Sequence, residues 1–589
     1  MKSQRSGWIA GVNHGSHDAS AVLLHDGRLV VWVEQERLSR TKHALGEAPA
    51  DALRAALDHA GLELDDLDAV ALGSDHDRLA EWLGLDAQAR ARILPYDRPD
   101  RLFPTALFGD CRPGRVISIP HHEAHAASAW YPSGFEQAGS LVMDAMGEDS
   151  STTIHSCTPQ GMAPCARWGV EDSLGFFYEA AALYAGFTRH QTGKLMGLAS
   201  YGNPVQPMPI RPDPTGHGRI WDFPGLAETA RHGGRAGIDA REVALLRHFA
   251  LTCFPHARRT SDEVMGWKDF AASAQVALEA VILDLARQAS VAAGSRSLVL
   301  SGGVALNCTA NGVLSRSGVI DDLFVQPAST DSGVAFGAAL VAAREAMGDR
   351  FPREPMTHAY WGLEANPTDI RRTLEAEGLA YRELDPPALC AAVADVIARD
   401  GVVAWHQGRA EIGPRALGAR SILGNPRGRA TLARINKIKG RELWRPLAPS
   451  IRREAFADCF EGLPNPFMLV QAIVRPDRRS QLAAVTHVDG TARPQVVEAG
   501  TAPLFHRLLG EVEQRTGTLV VLNTSLNGPE EPICHTPAQT LRLFRRTDID
   551  ALAIGRFLVE RPDRGRQADP SGTAAVEVSA AAQAAGALL

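Results

Sequence analysis

His121 and His125 stand four residues apart in the run Pro120-His121-His122-Glu123-Ala124-His125. On a helix that spacing puts both imidazoles on one face, with Cβ atoms about 5–6 Å apart. One cation could take a nitrogen from each. Alone, the pair reads more simply as the polar start of a helix. Further ligands must come from elsewhere, and Asp144 and Asp331 each lie in a loop at the end of an apolar run. Taken singly, each is also an ordinary Asx-turn residue. His17 sits in the loop Asn13–Ser20 beside His14, Ser16 and Asp18. An imidazole with an ordinary pKa of about 6.5 suits proton abstraction near neutrality, although a hydrogen-bonded loop histidine is the plainer reading.

A second chemistry concerns anions. Ser301-Gly302-Gly303 follows the apolar run Ser297–Leu300 and precedes a probable helix start at Asn307, where a backbone without Cβ atoms lets a phosphate or ribose approach closely. Gly-Gly alone is also a simple tight turn. Further along, Gly408–Ser421 places Arg409, Arg415 and Arg420 among small residues, and Asn436–Pro446 adds Lys437, Lys439, Arg441 and Arg445. In a chain of net charge -7 this is a local reversal of sign. Guanidinium forks match phosphate oxygens two at a time. Gly, Pro and Ala woven between the cations suit a built pocket better than a solvated patch. Asn523-Thr524-Ser525, after the apolar run Gly517–Leu522, offers amide and hydroxyl groups that could complete such a site.

The elements that must position these residues read as α/β. Trp8–Val12, Ala19–Leu24 and Leu29–Val33 are short apolar runs, the last two separated by the turn His25-Asp26-Gly27-Arg28. A helix is expected over Ala50–Ala60, closed by Gly61, and a strand over Ala69–Leu72. Strands are expected again at Ser140–Met143, Ser150–Ile154, Ser297–Leu300 and Leu323–Gln326, with a helix from Val334 to Met347. The character changes near Tyr360. Arg353–Met356 reads as linker, Pro367–Glu377 as the helix opening a new unit, and Val402–Trp405 as a strand within it. No repeat of fixed period stands out.

Composition narrows the function. With 589 residues, 45% hydrophobic and 22% charged, the chain is long enough for two to four domains. The acidic balance disfavours a broad nucleic-acid-binding face. No apolar run approaches the roughly 18 residues of a membrane span, and the first ten residues lack a secretory apolar core, so a cytoplasmic location is expected. The eight cysteines are scattered without a Cys-x-x-Cys pair, which disfavours structural zinc and a disulfide framework.

Nine segments together resemble the antibiotic and nodulation O-carbamoyltransferase family: GVNHGSHDASAVL, EQERLSRTKH, HHEAHAASAWYPSGF, GKLMGLASYG, LSGGVALNCTANG, GRAEIGPRALGARSIL, INKIKGRELWRPLAPS, THVDGTARPQVV and VVLNTSLN, in family order from residue 11 to 527. The resemblance implies an N-terminal actin-like split α/β domain (1–357), similar to the tRNA threonylcarbamoyl-transfer ATPases. It implies a C-terminal YrdC-like α/β domain (358–562) and leaves a tail (563–589) expected to be disordered. In the family, the C-terminal site converts carbamoyl phosphate and ATP to carbamoyl-adenylate, and the N-terminal site transfers the carbamoyl group to an alcohol.

Carried over by position, His121, His125, Asp144 and Asp331 would hold Fe²⁺ or another divalent metal, and His17 would be the base. Lys194, Gly302, Gly303 and Asn307 would meet the nucleotide in the N-terminal domain. Arg415, Lys439, Arg445, Arg493, Asn523 and Ser525 would bind carbamoyl phosphate and ATP, with Mg²⁺ expected alongside the ATP. The partners implied are carbamoyl phosphate and a small-molecule alcohol, with no membrane or nucleic acid. A homodimer is compatible with the resemblance. Two positions depart from the family pattern, which usually has Gly at Ala145 and at Glu530. Because the clustered cations all follow the linker, the unit from about Tyr360 onward is expected to form the adenylate by itself.

Two other readings compete. Transfer of a carbamoyl or threonylcarbamoyl group to a macromolecule would call for a basic docking face or zinc-finger cysteines. A non-catalytic nucleotide sensor would be expected to lack His17, His121, His125 or Asp331, all of which are present.

Overall fold

Three apolar runs at the start pair as an antiparallel meander because the Asp26-Gly27 turn has left-handed backbone at both residues (φ 48° and 74°). These are β1 (Trp8–Asn13), β2 (Ser20–His25) and β3 (Arg28–Glu34). β4 (Ala69–Leu72) and β5 (Val116–Ser118) add in parallel to give the order β3-β2-β1-β4-β5. A second sheet repeats this plan. β6 (Ala138–Gly147), β7 (Ser150–Thr158) and β8 (Gly161–Gly169) form the meander, and β9 (Ser297–Ser301) and β10 (Asp322–Val325) run parallel beside β6. The repeat thus exists in topology without a repeat in sequence, and two sheets of identical order are the split α/β plan of actin-like proteins. The computed structural model describes residues 7–213, 215, 220–223, 226, 234–253 and 261–561; the tail 563–589 lies outside them.

The two sheets meet through the helices His121–Trp130 and Ser332–Met347. Both are small-residue helices, and two glycines let the backbones touch. A Cβ on Gly337 would stand 1.7 Å from the Ala124 carbonyl oxygen, and one on Gly11 would stand 1.9 Å from that of Ala335. Those contacts fix the distance between His125 on one helix and Asp331 at the head of the other. We expect Gly337→Ala to destabilise the fold by about 3 kcal/mol, measured by chemical denaturation. An unchanged midpoint would show that the helices can separate without penalty.

The C-terminal sheet has eight strands in the order β11-β21-β20-β12-β13-β19-β14-β18. These are β11 (Arg382–Glu383), β12 (Val403–His406), β13 (Arg420–Gly424), β14 (Ala448–Arg452), β18 (Gln495–Val497), β19 (Val520–Ser525), β20 (Ala551–Ile554) and β21 (Phe557–Glu560). A small sheet of β15 (Phe460–Glu461), β16 (Ala472–Val474) and β17 (Thr491–Ala492) lies beside it in sequence. The helix after the linker spans Pro367–Ala376, capped by the Asn366 side chain. The halves are not packed independently. The largest buried apolar cluster takes in Ile412, Leu417, Ala448 and Phe467–Leu469 together with the N-terminal core. The segment read as linker is itself anchored, with the Arg353 guanidinium 4.1 Å above the Trp130 ring. Among the described residues no helix is long and apolar enough to cross a membrane. Cys157, Cys308, Cys390, Cys459 and Cys534 are buried free thiols, whereas Cys165 is exposed.

Candidate functional site

The His121–Trp130 helix begins at its first histidine, with Pro120 before it supplying no side-chain cap. The missing cap comes from the β6–β7 turn. Glu148, in left-handed backbone (φ 44°), accepts the His121 N–H at 3.1 Å and the Asp75 N–H at 2.9 Å. This carboxylate ties three chain segments together at one point. It also places His121 opposite Asp144, in the last part of β6, and Asp331, which precedes the Ser332–Met347 helix.

One ligand atom from each of His121, His125, Asp144 and Asp331 lies within 4.8 Å of the others. His121 Nε2 is 3.5 Å from Asp144 Oδ2 and 3.6 Å from Asp331 Oδ1, and His125 Nε2 is 3.7 Å from Asp331 Oδ1. For metal–ligand bonds of about 2.1 Å, the edges of a tetrahedron are about 3.4 Å, so these separations suit a shared cation. The nitrogens are also available. His121 Nε2 and both ring nitrogens of His125 are buried without a hydrogen-bond partner, a costly state unless something binds there. The tautomer of His121 follows from its neighbour. Ser74 Oγ donates to the Gly73 carbonyl at 2.8 Å, so at 3.2 Å it accepts from His121 Nδ1–H and leaves Nε2 bare toward the carboxylates. Burial alone would raise Asp331, but His17 and His121 hold it well below the usual carboxylate range. The residue set therefore fits one divalent ion.

His17 Nδ1 lies 3.3 Å from Asp18 Oδ2 and 3.7 Å from Asp331 Oδ2. The ordinary imidazole value used in the sequence reading does not hold here: Asp331 pushes His17 up to about 10. The nearby Asp331 carboxylate thus favours the protonated ring. Asp18 is itself left-handed (φ 51°) and accepts from His43 Nδ1 at 3.1 Å, so the loop is pinned at both ends.

Three positions expected against the N-terminal nucleotide make protein contacts in this structure. Gly302 is required by packing, since a Cβ there would stand 2.2 Å from the Met143 carbonyl oxygen of β6. Asn307 caps the Cys308–Arg316 helix through Ala310 N–H at 3.0 Å and pairs with the Gln275 amide, leaving its side chain engaged. Lys194, on the Thr192–Ala199 helix, reaches the other half of the protein and donates to Glu442 Oε1 at 2.9 Å. Gly303 remains at the metal cluster, its N–H donating to Asp144 Oδ1 at 3.0 Å.

The C-terminal cations converge on a cavity of about 140 Å³. Arg415, Arg441, Arg445 and Arg493 line it, with Asn523, Thr524 and Ser525 from the end of β19. Burial, then Arg493, pushes Arg415 down to about 9, and burial, then Arg445, does the same to Arg441. Such mutual repulsion persists in a folded protein when an anion is there to relieve it. Asn523 is oriented as an acceptor. Its Nδ2 donates to Ser450 Oγ at 2.9 Å and Gln495 Oε1 at 3.1 Å, and its buried Oδ1 has no partner.

Lys439 is not among the lining residues. Its buried ammonium donates to Ser525 Oγ, Asn527 O and Asn527 Oδ1 at 3.1, 3.0 and 2.8 Å, holding the turn behind Ser525. Arg441 stands in the cavity instead. His487 also lines it, pushed down to about 4 by burial; Arg441 was read from sequence only as one of the basic cluster, and His487 was not singled out. Their motifs carried the signal, but which cation of INKIKGRELWR faces inward depends on the turn at Gly440 (φ 55°).

The opposite wall of this cavity belongs to the N-terminal half: Gly193, Met196, Gly197, Cys308 and Thr309. A fragment starting near Tyr360 would lack that wall and part of the shared core. The two departures from the family pattern have local consequences. Ala145 accepts from Ser173 Oγ at 2.7 Å and packs its Cα against Gly175, while Glu530 is left-handed (φ 51°), the backbone a glycine would favour.

Comparison with known proteins places this architecture. Residues 8–92 and 109–340 match the family described as Carbamoyltransferase N-terminus, and residues 394–561 match Carbamoyltransferase C-terminus. Nodulation protein NolNO of Sinorhizobium fredii is 37% identical over 564 residues, covering 92% of this chain and 79% of that one. The uncharacterized protein sll1178 of Synechocystis is 33% identical, covering 94% of this chain and 96% of its own. The 3'-hydroxymethylcephem-O-carbamoyltransferase of Amycolatopsis lactamdurans is 40% identical over 268 residues, covering 45% of this chain and 49% of that one.

Proposed function

Because this chain belongs to the carbamoyltransferase family, we propose that it is an ATP-dependent O-carbamoyltransferase whose two half-reactions use the arginine cavity and the histidine–aspartate cluster in turn. The observation that carries this reading is the segment Gly303–Thr309. At one end the Gly303 N–H donates to Asp144 of the cluster, and at the other Cys308 and Thr309 wall the arginine cavity. One short segment of chain thus borders both sites, which suits the handing on of a carbamoyl-adenylate that bulk water would hydrolyse.

In the cavity, Arg415, Arg441, Arg445 and Arg493 would bind the phosphates of carbamoyl phosphate and ATP. There they stabilise the charge that builds as water releases phosphate from carbamoyl phosphate and the resulting carbamate displaces pyrophosphate from ATP. Four guanidinium groups offer donors only, so the carbamoyl NH₂ needs an acceptor, and Asn523 Oδ1 supplies one. At the cluster, His121, His125, Asp144 and Asp331 would hold a divalent ion, which supplies Lewis-acid polarisation of the carbamoyl carbonyl when bound. His17, anchored through Nδ1 on Asp18 and Asp331, presents Nε2 to take the proton of the acceptor hydroxyl. That role requires a neutral ring, hence Asp331 engaged as a ligand rather than as counter-charge to His17.

The acceptor is a small-molecule alcohol. Its class is tested by incubating the full chain with ATP, carbamoyl phosphate and a panel of alcohol-bearing natural products. The expected result is a mass gain of one carbamoyl group on an acceptor, dependent on both co-substrates. Transfer to water alone across a panel of antibiotics, sugars and lipo-oligosaccharides would contradict a small-molecule acceptor.

A further inference from the structure

The Arg441–Arg445 loop carries its own inhibitor. Glu442 lies between two of the cavity arginines, and its Oε2 is buried without a hydrogen-bond partner, 4.0 Å from Arg445 Nη1. A carboxylate there competes with any phosphate for Arg445 and repels the phosphate as it enters. What holds Glu442 aside comes from the other half of the protein. Lys194 Nζ donates to Glu442 Oε1 at 2.9 Å, across 248 residues of sequence. Just past the other end of this helix the loop is docked a second time, through Tyr201 Oη donating to the Trp444 carbonyl at 2.8 Å.

We propose that Lys194 is a positioning residue for the C-terminal anion cavity: it takes up the Glu442 charge and so leaves Arg445 and Arg441 free for phosphate oxygens. This rests on the reading of that cavity as a phosphate site. Lys194 does not line the cavity and touches no ligand there. Its action is to decide which cation Glu442 pairs with. Gly193, Met196 and Gly197 of the same helix form the cavity wall, so a movement of this helix would release Glu442 onto Arg445 and close the site to anions. The N-terminal half thereby sets the affinity of the C-terminal cavity.

The test is calorimetric titration of the full chain with inorganic pyrophosphate, which needs no turnover. Lys194→Met should weaken binding about tenfold, the scale of one partly desolvated charge pair. Lys194→Arg should keep wild-type affinity, since a cation on Glu442 is all that is required. The double variant Lys194→Met/Glu442→Gln should recover to within about twofold of wild type, because the competing charge is gone. With catalytic turnover as a second readout, Lys194→Met should raise KM for carbamoyl phosphate and ATP while leaving kcat nearly unchanged. A Lys194→Met protein that binds pyrophosphate like wild type overturns the proposal, and so does a loss that Glu442→Gln fails to reverse. If the wild-type chain itself does not bind pyrophosphate, the reading of the cavity falls, and the proposal with it.

Discussion

Arg415→Ala in the full chain should abolish pyrophosphate release that depends on carbamoyl phosphate, lowering it at least about 100-fold. Transfer from supplied carbamoyl-adenylate to the acceptor should continue. The argument is one of position and charge. Arg415 is the most centrally repelled cation of the cavity, pushed down to about 9 by burial and by Arg493, with its Nε buried and unpartnered. Among the described residues no carboxylate forms an ion pair with it, so its contribution is realised on the anion. For the same reason the ligand-free variant should unfold at the same denaturant concentration as wild type or slightly higher, since removing an unpaired buried charge relieves a desolvation penalty. Equal loss of both half-reactions, or a collapse in stability, would assign Arg415 to the scaffold instead.

The second large effect is expected at the cluster. His121→Ala should lower the stoichiometry of bound divalent metal sharply, read by elemental analysis after equilibration, and should stop transfer to the alcohol. Pyrophosphate release at the arginine cavity should persist. His121 is buried at the first turn of its helix, so the alanine variant must be checked for folding. Asp331→Asn, which keeps the side-chain volume, should give the same separation of half-reactions. Ser74→Ala tests the tautomer argument: loss of its hydrogen bond to Nδ1 should weaken metal binding about 10- to 100-fold. A His121→Ala protein that keeps its metal and its transfer rate would return the histidine pair to an ordinary helix start.

These expectations show where sequence was sufficient. The β1–β3 meander was legible because each strand is one apolar run and the turn residues state their backbone. The helix opening at Pro367 was legible in the same way. The four residues His121, His125, Asp144 and Asp331 could be grouped only through the family resemblance, since no local pattern relates positions on different elements. Lys194, Gly302 and Asn307 make contacts that their motifs did not foretell, for one physical reason. Each is claimed by a partner distant in sequence, namely Glu442, Met143 and Gln275, and a motif string does not show which neighbour takes a side chain. Lys439 and Arg441 differ by two positions, yet a turn at Gly440 sends one into the core and the other into the cavity.

The central claim is that an anion cavity completed by both halves of the chain activates the carbamoyl group before transfer. It is tested most directly by incubating the full chain with ATP, with and without carbamoyl phosphate, in the absence of any acceptor, and resolving the nucleotide products. The account predicts pyrophosphate release only when carbamoyl phosphate is present, with carbamoyl-adenylate or its hydrolysis product AMP appearing in step. Release of ADP, or pyrophosphate release indifferent to carbamoyl phosphate, would contradict it.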